Sequence, residues 1–166
     1  MPSNVSPIPQ GFHSITPALT CKDAGRAIDF YKKAFGATET VCMAGPGGRI
    51  MHAELRIGDS VIFVSDEWPG MAAAPTPGAV PSSYIFLYTE DVDAVFNRAV
   101  AAGAKSSMPV SNMFWGDRYG KLTDPFGHTW GIATHVEDVA SEEMKRRSEE
   151  WTATMAKAAA ASAGQS

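Results

Sequence analysis

At 166 residues with 45% hydrophobic side chains, the chain holds enough apolar material for one core, or for two small modules that share one. Its formal net charge of -4, with the two signs interspersed and no run of Lys or Arg, argues against a nucleic-acid surface and points to small-molecule partners. No apolar stretch is long enough to span a bilayer and residues 1–11 lack a signal-peptide core, so a soluble, cytoplasmic protein without a membrane partner is expected.

Residues 1–12, rich in Pro and Ser, are expected to be flexible. A first strand is predicted over 15–21. Asp23 then stands where a helix N-cap belongs, and a helix is predicted over 24–35, with Ala27, Ile28, Tyr31, Ala34 and Phe35 on one apolar stripe and Gly36-Ala37 as its stop. Strands follow over 37–44, 49–57 and 60–66, joined by a turn at Gly45-Pro46-Gly47-Gly48 and a tighter one at Gly58-Asp59. The glycine-rich turn has neither the Lys-Ser/Thr ending nor the following helix of a phosphate loop, so it reads as a hairpin. Cys21 and Cys42 fall in predicted strands with no metal or redox spacing, and a reduced, buried pair is expected.

Residues 67–82 hold four prolines and three consecutive alanines, and read as a bridge without regular structure. Beyond it the opening pattern returns. A strand is predicted over 83–88, Asp91 stands 68 positions after Asp23 as a second N-cap, a helix runs over 92–102 to Gly103-Ala104, and strands follow over 105–110, 117–123 and 129–134. The copies read as β-α-β-β-β modules, about 13–67 and 83–138, inside a single domain over 13–138; duplicated modules tend to build their site where they face one another. Residues 111–116 form an aromatic-rich loop that either packs beneath the fold or lines a pocket. A C-terminal helix is predicted over 139–161, with Met144, Trp151 and Met155 roughly on one side, and residues 162–166 are expected to fray.

Several residues could carry chemistry. Period-2 alternation puts His52, Glu54 and Arg56 on one face of the third strand and Met51, Ala53, Leu55 and Ile57 on the other. The polar face reads either as a general base with an anion-binding Arg, or as a solvated surface with an incidental salt bridge. Asp117 and Arg118 follow Phe114 and Trp115, a combination that fits a small-ligand site with an aromatic wall and a fixed charge, or else an Asp-Arg ion pair. His128 reads as a turn cap, while His13 and His135 have no evident partner.

The stretches Ile28-Asp29-Phe30-Tyr31-Lys32-Lys33-Ala34-Phe35-Gly36-Ala37, Met51-His52-Ala53-Glu54-Leu55-Arg56-Ile57-Gly58-Asp59-Ser60, Trp115-Gly116-Asp117-Arg118-Tyr119-Gly120 and Asp124-Pro125-Phe126-Gly127-His128 resemble the glyoxalase/bleomycin-resistance protein/dioxygenase, or vicinal oxygen chelate, superfamily, and within it the PhnB-like branch. The resemblance implies an α+β fold of paired β-α-β-β-β modules forming a curved mixed sheet around a cleft, with helices outside and a homodimer in which modules pair across subunits. It also implies where metal-dependent members place their ligands; the matching positions here are Thr16, Ile62, Tyr84 and Gly131, none of them His, Glu or Asp. No metal and no other cofactor is therefore expected.

Three functions stay open, in order. The first is a metal-independent protein binding a small aromatic or amphipathic molecule in the cleft, walled by Phe63, Tyr84, Phe114 and Trp115, with Glu54, Arg56 and Arg118 as polar contacts. The second is a glyoxalase-type lyase or isomerase using His52 as its catalytic residue, or a relocated divalent-metal site built from His52, Glu54 and His128. The third is a dimeric structural protein without small-molecule chemistry.

Overall fold

Repetition in the sequence becomes repetition in three dimensions. The computed structural model describes residues 5–163; the expectations for the first four residues and for the last three lie outside the described residues. The first module is built from β1 (Ala18–Cys21), α1 (Ala24–Phe35), β2 (Thr38–Ala44), β3 (Ile50–Ile57) and β4 (Ser60–Asp66). The second repeats it with β5 (Ile85–Tyr88), α2 (Val92–Ala101), β6 (Lys105–Asn112), β7 (Asp117–Thr123) and β8 (Thr129–His135), and α3 (Ser141–Ala163) follows. Each module forms a four-stranded mixed sheet, in the order β1-β4-β3-β2 and β5-β8-β7-β6. Short connections make the last three strands of each module antiparallel, and the helix between the first two strands lets the first pair parallel with the last.

Both helices start on the caps expected of them. The Asp23 carboxylate accepts from Arg26 N at 3.1 Å, and that of Asp91 from Ala94 N at 2.9 Å. Gly36 ends α1 in the left-handed region, at φ 68°. The predicted bounds of α1, β4 and β7 agree with the structure; β1 is shorter than predicted because only Ala18 to Cys21 find a partner row on β4. The link over 67–84 carries only an isolated bridge between Trp68 and Ala72. The expected hairpin at residues 45–48 joins the antiparallel β2 and β3, and its middle is a single 3-10 turn, Pro46–Gly48.

Alternation along each strand sends one set of side chains toward the helices. Leu55, Ile62 and Val64 of the first sheet and Leu122, Trp130 and Ile132 of the second share one core with Phe30, Tyr31 and Phe35 of α1 and Val92, Val95 and Phe96 of α2. The helices pack on each other as well as on their own sheets. Trp130 crosses the module boundary to pack on Phe35 at 4.5 Å between ring centroids and on Tyr31 at 5.5 Å. Beneath them the buried Asp124 accepts from Tyr31 Oη at 2.8 Å and Trp130 Nε1 at 3.0 Å, and from the backbone N–H groups of Phe126 and His128 at 2.9 Å each. One carboxylate thus pins the last turn of the second module to the helix of the first.

Cys21 is buried here as expected, but Cys42 is exposed, because β2 is an outer edge strand with every residue exposed. Burial, with the Asp124 carboxylate nearby, pushes the Cys21 thiol up to about 12, so it stays protonated and inert.

Candidate functional site: the uncovered faces of the two sheets

Because helices cover only one side of each sheet, the other side is left open. On the first sheet this open face carries His52, Glu54 and Arg56 of β3 with Phe63 of β4, set across from one another by the registers Glu54–Phe63 and Arg56–Val61. His52 Nε2 lies 3.4 Å from Glu54 Oε1, and its ring meets Phe63 edge-on at 4.7 Å. The N-terminal segment folds onto this face: Phe12 packs on Phe63 at 6.1 Å, and Arg56 donates to Gly11 O at 3.4 Å. Sequence reasoning placed His52, Glu54 and Arg56 on one face of the third strand and Phe63 in the wall of the cleft; the structure brings all four together on this face.

The second open face is paved with aromatic rings. Tyr84, Phe86 and Tyr88 alternate out of β5 and the residue before it, and all three are exposed. Phe86 stacks on Tyr119 of β7 at 5.5 Å and 10°, Tyr88 lies 4.9 Å from Phe86, and Trp115 meets Tyr119 edge-on at 5.9 Å. Gly131 in the intervening strand makes this paving possible: a Cβ there would stand 2.8 Å from the Tyr119 ring and 3.1 Å from that of Tyr84. Lys121 reaches over Tyr84, 4.7 Å from its centroid.

At the far edge of the paving sits Asp117, buried at 3% exposure. It accepts from Tyr88 Oη at 3.0 Å, Trp115 Nε1 at 2.9 Å and His135 Nδ1 at 2.8 Å. Partial burial and the Asp117 carboxylate push the Tyr88 phenol up, while Asp117 and then Asp138 push the His135 imidazolium up. His135, expected to lack a partner, has two; Asp117 stands 18 residues away and becomes its neighbour only through the β7–β8 register.

Other site expectations are corrected. Asp117 and Arg118 form no ion pair, because adjacent strand residues point to opposite faces: Arg118 turns to the helix side and grips Asp93 of α2 with two bonds of 2.6 and 2.7 Å, leaving the open face altogether. Phe114 packs on Trp115 and on Trp151 of α3, at 5.1 and 5.6 Å between ring centroids. Nor is His128 simply a turn cap; its Nε2 donates to Thr20 O at 3.0 Å and so ties the second module to β1. Ile62 belongs to the core, and Phe63 is the open-face counterpart of Gly131, since Phe63 lies opposite Ala18 as Gly131 lies opposite Phe86. Counting from the turn glycines misses by one residue because the two β-turns differ in length.

The two open faces meet at a cavity of about 770 Å³, bounded by Ala18 and Thr20 of β1, Tyr84 and Phe86 on the other side, His128 and the 73–83 link. The residues at the four positions where a metal is implied, Thr16, Phe63, Tyr84 and Gly131, offer two hydroxyls and no imidazole, thiolate or carboxylate. Among the described residues no group of three His, Cys, Asp or Glu side chains converges as a cation site either. That donor set does not fit a divalent ion, which needs several nitrogen or oxygen donors at about 2 Å. No helix among the described residues is long and apolar enough to cross a membrane.

Comparison with known proteins agrees with this architecture. An uncharacterized protein of Mycobacterium bovis, Mb0911c, is 41% identical over 137 residues, 80% of this chain and 90% of that one. The uncharacterized Arabidopsis thaliana protein At5g48480 is 35% identical over 76% of this chain and 80% of its own; its solved structure superposes with a TM-score of 0.58 over 74% of this chain and 98% of that chain. The crystal structure of TioX from Micromonospora sp. ML1 is similar at 27% identity and a TM-score of 0.60, again over 74% of this chain and 98% of that one. Residues 11–132 match the family described as Glyoxalase/Bleomycin resistance protein/Dioxygenase superfamily, and the chain belongs to that superfamily.

Proposed function

We propose that this protein binds a small aromatic molecule, without a metal ion, on the paved open face of its second sheet, next to the cavity where the modules meet. The observation that carries the reading is the exposed row Tyr84, Phe86 and Tyr88, backed by the buried Tyr119 and the half-buried Trp115, given room by Gly131 and anchored by the buried Asp117. An apolar surface of this kind stays in water only where something else covers it, and a planar ligand gains ring stacking as well as burial. His52, Glu54, Arg56 and Phe63 supply polar and apolar contacts from the first sheet. The reading includes a homodimer, in which the second copy roofs the open faces and leaves room for the ligand beneath it.

Titration of the full chain with 2-naphthamide, followed by quenching of tryptophan fluorescence, tests it. Binding in the micromolar range is expected, weakened roughly tenfold by Phe86→Ala, in line with the loss of one aromatic stack. Added zinc, nickel or manganese should leave both the affinity and the melting temperature nearly unchanged, whereas an ion bound at about a hundred times its Kd would add about 2.7 kcal/mol. No binding of naphthamide or other planar aromatics, or a metal-dependent rise in melting temperature that His52→Ala abolishes, overturns the reading.

A further inference from the structure

We infer that His135 is the binding point for the carboxylate of an aromatic acid whose ring lies on the paved face. The inference deepens the aromatic-ligand reading and rests on it. Register sets the geometry: Ala133 lies between Tyr88 on one side and Tyr119 on the other, and His135 follows two residues on, opposite Asp117. His135 therefore stands on the same face as the rings, about 7 Å along the strand from the Tyr88–Tyr119 row. A planar acid lying against Tyr88, the exposed ring of that row, places its carboxylate at the imidazole.

Both ring nitrogens of His135 face carboxylates. Nδ1 lies 2.8 Å from Asp117 and Nε2 lies 3.0 Å from Asp138. A carboxylate only accepts, so each nitrogen carries a proton and the ring is an imidazolium. The two acids differ in how firmly they are held. Asp117 is buried and fixed by the indole of Trp115 and the phenol of Tyr88, so it orients the ring permanently. Asp138 has a fully exposed side chain, and its bond to Nε2 is its one hydrogen bond among the described residues. Its carboxylate marks the place that a ligand's carboxylate takes, and leaving costs it little. The titratable groups facing His135 are thus Asp117 from β7, Tyr88 from β5 through Asp117, and Asp138 from the segment after β8; Tyr88 stays neutral, because burial and Asp117 push its phenol up.

The test compares 2-naphthoate with the uncharged isostere 2-naphthamide by calorimetry on the full chain. At about pH 6 the acid should bind roughly tenfold tighter than the amide, as a charge-assisted pair does. The preference should shrink as pH rises through the raised value of His135, so that it is smaller at about pH 9.5 than at about pH 6, and it should be absent in His135→Gln at both pH values. Asp138→Asn, which removes only an exposed competitor, should raise naphthoate affinity severalfold relative to the amide. Equal affinities for the two probes in wild type at both pH values, or no gain from Asp138→Asn, overturn the carboxylate site and leave the aromatic-ligand reading standing. Absence of naphthamide binding overturns both. Should His135→Gln fail to fold, the wild-type pH dependence and Asp138→Asn still decide.

Discussion

Two buried aspartates do different work. Asp124 gathers donors from both modules, and Asp124→Ala would leave the Tyr31 hydroxyl, the Trp130 indole and two backbone N–H groups without an acceptor in the core. A loss of about 3–5 kcal/mol in the urea unfolding free energy is expected. Asp117 instead holds a group that titrates. Since the folded-state pKa of His135 is raised, chiefly by Asp117 and next by Asp138, its contribution to stability is complete below the ordinary imidazole value of about 6.5 and is lost as pH rises through the raised value. The stability gap between wild type and His135→Gln should therefore be wider at about pH 6 than at about pH 9.5, read from urea midpoints. A gap independent of pH would contradict the ion pair. At this scale the sequence was legible where alternation was followed through: His52, Glu54 and Arg56 share a face as read. The same rule applied to Asp117-Arg118 separates them, and applied to Tyr84, Phe86 and Tyr88 it reveals the row of β5 rings on the paved face, of which only Tyr84 was singled out, along with Trp115 beside it.

Secondary structure followed the local chemistry most closely where that chemistry was complete. Helix α1 has its Asp cap, its apolar stripe and its glycine stop, and its ends fall where predicted. Gly36 offers a clean check on that reasoning, because an added Cβ would meet nothing within 4 Å while φ stays at 68°. Gly36→Ala should thus cost about 1 kcal/mol from backbone conformation alone, and Gly36→Asn less, measured by thermal or urea unfolding. A neutral Gly36→Ala would show that the stop is set elsewhere. Strand ends were less legible, since a strand stops where its neighbour stops: β6 runs on to Asn112 because Arg118 lies opposite it. Partners distant in sequence, such as His135 for Asp117 or Thr20 for His128, depend on register and on the docking of modules, neither of which is local information.

For the whole molecule, the duplicated design was visible in the 68-residue echo, but which faces the helices leave bare was not. The exposed Val41, Met43 and Met51 of the first module and Tyr84, Phe86 and Tyr88 of the second are more apolar surface than a solitary chain comfortably leaves in water. Helix α3 begins beyond the family-matched residues 11–132 and, after its contact with Phe114, leaves Trp151 and Met155 exposed. A dimer in sedimentation equilibrium at micromolar concentration is the expected outcome, and a monomer there would count against the shared cover.

Synthesis proceeds from the N-terminus, so the first module leaves the ribosome while Asp124, 93 residues beyond Tyr31, has yet to be made. During that interval the first sheet can already pair β1 with β4, yet Tyr31 and Phe35 of its helix have neither Trp130 nor the carboxylate to rest on. The nascent first half is in this sense an unfinished hydrophobic surface, the kind a holding chaperone recognises. A fragment ending at residue 82 should bind more of an environment-sensitive hydrophobic dye per residue than the complete chain does.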